Sequence, residues 1–255
     1  MSRGLRVRFT KTGKIRFTSH RDVARIWERG LRRAGLPVAY TEGFSPRPKL
    51  SFGFALPTGY ESLGEYLDVN LRSGAMQSDV DCERLPSVLD HVLPAGIGVQ
   101  AVVPLQAGAA SLQQAVTSVT WHIELADAVD AGVARGAVDG VLAAPELMVT
   151  RQRKGVTIVD DIRAGILCVD ICEPALSNTS ANESTSACGV VLRAELATQP
   201  RAVRPAELVG ALGRGLRADR VVRIQQWTHA GGARQEVIPL PSAATPARTL
   251  EARAS

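Results

Sequence analysis

Short runs of strict alternation, separated by one helical stretch or one turn, constrain this chain more than any other feature. Residues 5–9, LRVRF, place Leu5, Val7 and Phe9 on one face and Arg6 and Arg8 on the other, the mark of a half-buried strand. KTGK at 11–14 reads as a turn, after which Ile15 and Phe17 resume the alternation against Lys14 and Arg16. A helix then opens at SHRD, where Ser19 and Asp22 resemble a capping box with Asp in place of Glu. Val23, Ile26, Trp27, Leu31 and Ala34 recur at helical spacing, and Gly35 and Pro37 end the helix. Residues 50–56, LSFGFAL, alternate again, and Glu65–Leu71 sets Leu67, Val69 and Leu71 against Tyr66, Asp68 and Asn70. A second helix over 79–92 and a strand over 97–103 complete the order β-α-β-β-α-β, the ferredoxin-like unit.

A second round follows. Val119, Trp121, Ile123 and Leu125 alternate, a helix is predicted over 129–143, RQRKG at 151–155 reads as a turn between strands, and 158–171 continues in strand-like runs. Val190–Leu196 predicts a strand, Pro205 starts a helix reaching about Leu216, and Arg220–Thr228 is the last strand. The chain therefore reads as α+β, two ferredoxin-like (β-α-β-β-α-β) units in tandem, the second decorated. The expected boundaries are a basic domain at 1–105, a linker at 106–115, and a second domain at 116–228 with a polar insertion at 174–187. A flexible tail follows at 229–255.

Charge is the second constraint. Residues 1–50 carry 13 Lys/Arg against 3 Asp/Glu, whereas residues 51–255 carry 17 against 22. A cationic end on a nearly balanced body points to nucleic acid, an acidic partner or an anionic surface. No run of 18 apolar residues crosses a membrane, and the basic start lacks an apolar signal core. Four cysteines in 255 residues fit reduced thiols, so a cytoplasmic location is expected.

YTEGFSPRPKLSFGFALPTGYES, residues 40–62, is the densest stretch. Pro46 and Pro48 fix an extended backbone, so Arg47 and Lys49 are preset cations that could meet phosphates with little loss of entropy. At 18–22, TSHRD combines a helix N-terminus with His20 and Arg21, which suits an anion; simple capping by Ser19 is the plain alternative. On the outward sheet face Arg6, Arg8, Lys14 and Arg16 would hold phosphates, with Tyr66 as a stacking surface; open faces of this kind commonly bind RNA. His20 could instead act as general base in metal-free RNA cleavage with Tyr40, Lys14 or Lys49 assisting. Glu61, Glu65 and Asp68 are expected to pair with neighbouring arginines rather than hold a metal. Cys168 and Cys172 lack the third cysteine of CxxxCxxC, since position 175 is Ala, and on a strand they stand about 13 Å apart. No GxGxxG, GKS/GKT or HExxH motif is present.

The run FTKTGKIRFTSHRDVARIWERGLRRAGLPVAYTEGFSPRPKLSFGFALPTGYESLGEYLDV resembles an uncharacterised bacterial family associated with radical S-adenosylmethionine (radical SAM) proteins. The resemblance covers residues 3–105. In the second half only Lys154, Gly155, Asp161, Ile162 and Arg163 (KG…DIR) are similar. Such proteins are encoded beside, or fused to, a cobalamin-binding radical SAM protein, often near genes for a ribonuclease and ribosomal proteins. The resemblance implies an accessory protein for RNA or ribosome modification. Its iron–sulfur cluster, S-adenosylmethionine and cobalamin would belong to the partner enzyme alone, and no residue here has an assigned role. Three readings stand at this point: a non-catalytic RNA-binding or substrate-presenting partner, a metal-independent endoribonuclease using His20, and a protein–protein adaptor without RNA binding.

Overall fold

The alternating runs become neighbours in a single sheet. The computed structural model describes residues 4–240 except 73, 75–79, 107, 127–128, 154, 173–188, 214 and 231. The first half contains β1 (Gly4–Lys11), α1 (His20–Arg33), β2 (Leu50–Phe52), β3 (Glu61–Asn70), α2 (Leu85–Val92) and β4 (Ile97–Pro104). The second contains α3 (Leu112–Ala115), β5 (Val116–Leu125), α4 (Ala131–Ala143), β6 (Met148–Arg153), β7 (Val156–Asp161), β8 (Ile166–Cys172), β9 (Val191–Ala197), α5 (Pro205–Leu212), β10 (Ala218–Ala230) and β11 (Ala233–Glu236). The result is a mixed α+β protein with one large, mostly antiparallel sheet. No helix among the described residues is long and apolar enough to cross a membrane.

β1 pairs antiparallel with both β3 and β4, and β2 pairs antiparallel with β3. β5 pairs antiparallel with β9 and β10, and β8 with β9. Each half is thus a four-stranded antiparallel array, and the β6–β7 hairpin forms a separate ribbon. Instead of two detached domains, the arrays fuse: β3 runs parallel to β10 through Glu61–Val222 and Ser62–Arg223. Gly64 lets this seam close, because a Cβ there would stand 3.2 Å from the Ile224 carbonyl oxygen.

Two apolar cores follow from the alternation. In the first, Leu5, Val7 and Phe9 meet Leu67 and Val69 beneath Val23, Trp27 and Leu31 of α1. Phe9 and Trp27 pack edge to face at 4.8 Å. Ser19 caps α1 by accepting from the Asp22 amide, as its sequence predicted. In the second core, Trp121, Ile123 and Leu125 pack with Leu192 and Leu196 against α4 and α5.

Several local expectations are corrected. Residues 13–17 form a 3₁₀ turn rather than a resumed strand, since Gly13 sits at φ +66° and breaks the alternation. β2 stops at Phe52, and the chain from Phe54 crosses to the second core, where Phe54 and Leu56 pack. The predicted linker ends in α3, whose Leu112 is buried. The predicted tail is built in as far as residue 240: β10 extends to Ala230, β11 pairs back on it, and Ile238 is buried. The insertion at 174–187, residues 241–255 and Lys154 lie outside the described residues.

Buried charge holds the seam. On β3, Glu65 accepts from Arg223 at 2.8 Å, and both side chains are withdrawn from water. Arg223 also donates to the Phe54 and Ala55 carbonyls, so one guanidinium ties β10 to β3 and to the crossing segment. Glu61 accepts from Arg220 at 2.6 Å, Arg16 at 3.1 Å and the Gly13 amide at 2.8 Å. Arg223→Ala would strand a buried carboxylate and two carbonyl acceptors, and should cost roughly 3–5 kcal/mol in urea unfolding. A loss below about 1 kcal/mol would show that the seam does not depend on this pair.

Burial alone would raise the Glu61 carboxyl, but Arg220, the Gly13 amide and Arg16 outweigh it and hold the group below its ordinary value of 4.5. A depressed carboxylate contributes stability that is complete above its unfolded pKa and disappears as pH falls through the folded one. Unfolding free energy should therefore drop as pH falls below about 5, and Glu61→Gln should flatten that drop. Urea titrations of both proteins between about pH 6 and pH 3 measure it; equal slopes would remove Glu61 as a source of acid sensitivity.

Candidate functional site

The cations singled out from the sequence fall into three places. The first is the outward face of the first half. There Arg6 pairs with Asp68 at 2.7 Å, and Arg8 donates to Glu236, to the Ile238 carbonyl and to Gln100. Arg8 is only 4 % exposed and Tyr66 only 1 %. Leu112 and Ile238 cover Tyr66, with Arg8 lying 5.9 Å from its ring centroid, and burial pushes the phenol up to about 12. The expectation of an open phosphate-holding face is corrected: the segment 233–238 straps across it. The reason is long-range, because the acceptor for Arg8 stands more than two hundred residues away in sequence.

The second place is the start of β3. Arg16 is tied to Glu61, its guanidinium lies 4.7 Å from the exposed Phe17 ring, and its carbonyl accepts from the Gly59 amide. Lys14, His20 and Arg21 are exposed nearby in sequence. His20 packs edge to face on Phe52 at 5.0 Å. No hydrogen bond joins His20 to Tyr40, Lys14 or Lys49, so the structure does not assemble the acid–base set of the nuclease reading. Lys11, not singled out beforehand, is buried and holds the turn by donating to the Thr18 carbonyl at 3.0 Å and the Arg16 carbonyl at 3.3 Å.

The third place is the segment 40–49, which folds as a finger. Tyr40 bridges Pro48, the Thr41 amide donates to the Arg47 carbonyl at 2.8 Å, and the Arg47 amide donates to the Thr41 hydroxyl at 3.0 Å. The Lys49 amide donates to Ala39, and the Asn70 amide donates to Lys49, anchoring the finger at the end of β3. Gly43, at φ +115°, makes the tip turn. Phe44 at the tip is fully exposed, Tyr40 is 45 % exposed, and Arg47 and Lys49 face water. Among the described residues neither cation has an acidic partner. The sequence reading of this stretch named the cations and not Phe44. Its signal was present: an aromatic flanked by Gly and Ser inside a proline-stiffened loop.

β3 spans ten residues, so its two ends stand about 30 Å apart. The Arg16 cluster is tied to the first residue and the finger to the last. The carboxylates Glu61, Glu65 and Asp68 are each consumed by an arginine. No group of three or more His, Cys, Asp or Glu among the described residues could hold a metal ion. Cys168 is exposed, and the Asp170 carboxylate accepting from it pushes the thiol up to about 11, away from nucleophilic use.

In the DIR element, Asp161 accepts from the Leu147 and Arg163 amides and Ile162 is buried. Arg163 donates to the Leu142 carbonyl at 2.7 Å, near the end of α4. These residues shape the α4–β6 connection. No curated protein matches the chain. Residues 4–205 match DUF2344, described as an uncharacterized protein conserved in bacteria, and this span, which includes the finger and the DIR element, places the chain in that family.

Proposed function

We propose that this protein is a non-catalytic RNA-binding accessory that presents an RNA or ribosomal segment to a separate radical SAM enzyme. The carrying observation is the finger: a hydrogen-bonded, proline-stiffened loop with a fully exposed Phe44 at its tip and two unpaired cations at its base. An aromatic ring offers a stacking surface to any unpaired base, and cations on a rigid strip gain phosphate contacts without ordering cost. Arg29, Arg32 and Arg33, exposed on α1, add positive field in the same half. The pairings that set β4, β1, β3 and β2 side by side, and β10, β5, β9 and β8 likewise, support reading each half as a ferredoxin-like unit, with β6–β7 as the decoration. That arrangement occurs in RNA-binding proteins, which supports the reading by analogy only. The association with a radical SAM enzyme rests on the resemblance in residues 3–105.

Fluorescence anisotropy with labelled single-stranded RNA across a salt series tests the proposal. Affinity should fall steeply with salt, and Arg47→Ala and Lys49→Ala should each lower the logarithmic slope by about 0.7. Phe44→Ala should weaken binding roughly 5- to 150-fold while leaving the slope unchanged. Flat, weak anisotropy at low salt sinks the RNA reading. It leaves Phe44 as a plug for a pocket on a protein partner, which co-purification with the radical SAM protein would then show.

A further inference from the structure

The crossing segment after β2 does more than reach the second core. Between it and the loop before α5 lies a cleft of about 470 Å³. Phe54, Trp121 of β5 and Val203 are among the residues that line it. Gln113, Thr198 and Arg204 supply its polar lining. Concave, largely apolar volumes of this size with a few convergent polar groups are the usual form of small-ligand sites.

Each polar group has capacity to spare. Thr198 donates its hydroxyl proton to the Val116 carbonyl at 2.6 Å, which leaves its oxygen free to accept. Gln113 is exposed, with no protein partner for its amide among the described residues. Arg204 stands at the N-cap of α5, where the helix dipole adds to its charge. The nearest acid along the chain, Glu207, is taken by Arg201 at 2.6 Å and by the Arg204 amide at 2.9 Å, so the Arg204 guanidinium has no carboxylate. It nevertheless acts on the cleft: burial raises the Tyr60 phenol and Arg204 opposes that rise. Tyr60 meets Trp121 edge to face at 6.0 Å. The Arg223 guanidinium, already neutralised by Glu65, lies 4.9 Å from the Trp121 ring centroid and fixes that ring in place. The cleft therefore combines an apolar lining that includes Phe54, hydrogen-bonding groups at Gln113 and Thr198, and one cation without an ion pair among the described residues.

We infer that this cleft is a nucleotide site: the base enters the apolar lining beside Phe54, the Gln113 amide and the Thr198 hydroxyl meet its polar edge, and the phosphate is held by Arg204. The choice of a nucleotide rests on the RNA reading above and deepens it. The nucleotide is either free or one unstacked residue of a single-stranded RNA. The second source is consistent with the neighbouring surface, because Pro57 lines the cleft and the Gly59 amide donates to Arg16 beside exposed Phe17 and Lys14.

Isothermal titration calorimetry with adenosine monophosphate and with a short oligoadenylate tests this. Ala55→Trp fills the cleft while keeping the backbone carbonyl that holds Arg223, and Arg204→Ala removes an exposed cation without a structural partner. Adenosine monophosphate should bind the parent chain, and each substitution should weaken it about tenfold or more, or about 1.4 kcal/mol. Absence of heat with both ligands, or binding unchanged in both variants, overturns the site. If the mononucleotide binds and is lost in Ala55→Trp while oligoadenylate does not bind, the cleft stands with a free nucleotide as its ligand and the RNA reading fails. If oligoadenylate loses affinity in Phe44→Ala but not in Ala55→Trp, and the mononucleotide gives no heat, the RNA reading stands and the cleft fails.

Discussion

Two buried carboxylates on one strand hold this protein together. Glu61 and Glu65 lie four residues apart on β3 and meet Arg220 and Arg223, three apart on β10. The parallel register they flank is short, with only two matched pairs, so the backbone ladder alone is a weak seam. The arginines widen it: Arg223 reaches the carbonyls of the crossing segment, and Arg220 also pairs with Glu124 on β5. Desolvating these charges is expensive, and the geometry offsets that cost because each carboxylate accepts at close range. The cleft depends on the same contacts, since Arg223 lies against the Trp121 ring and holds the backbone at Phe54 and Ala55.

Much of the fold was legible because strand and helix periods are local. The alternation of Leu5–Val7–Phe9 and Leu67–Val69 placed the first core correctly, and Ser19 announced the start of α1. What escaped was non-local. Nothing near residue 61 says that its strand will meet residue 222, because a parallel seam between distant strands leaves no period in either. The strap was equally invisible: Val237 and Ile238 form only a short apolar run, and its partner Tyr66 was assigned to solvent by an alternation that carries no information on what covers a face. Phe54 followed the strand alternation perfectly and still left the sheet.

The candidate site was legible by composition and mislocated by geometry. The excess of positive charge in the first fifty residues is real, yet it divides into two populations. Arg6, Arg8 and Arg16 are structural, each neutralised by an acid that lies 45 or more residues away. Lys14, Arg21, Arg29, Arg32, Arg33, Arg47 and Lys49 are exposed and form no ion pair among the described residues. A sequence count weighs the two groups equally. Only the second can release counterions from a polyanion, because a cation already paired inside the protein would exchange one anion for another.

This division explains why the finger outranks the sheet face as a candidate interface. On the sheet face, exposing Arg8 would require breaking its contacts to Glu236, Gln100 and Ile238 and uncovering Tyr66, a large loss before any ligand contact forms. On the finger, Arg47 and Lys49 lose nothing but water, and the backbone that carries them is already held by Thr41, Ala39 and Asn70. Binding energy is best realised where the free state is already ordered and unpaired. The basic half therefore keeps its buried arginines for folding and leaves a smaller, preorganised set exposed.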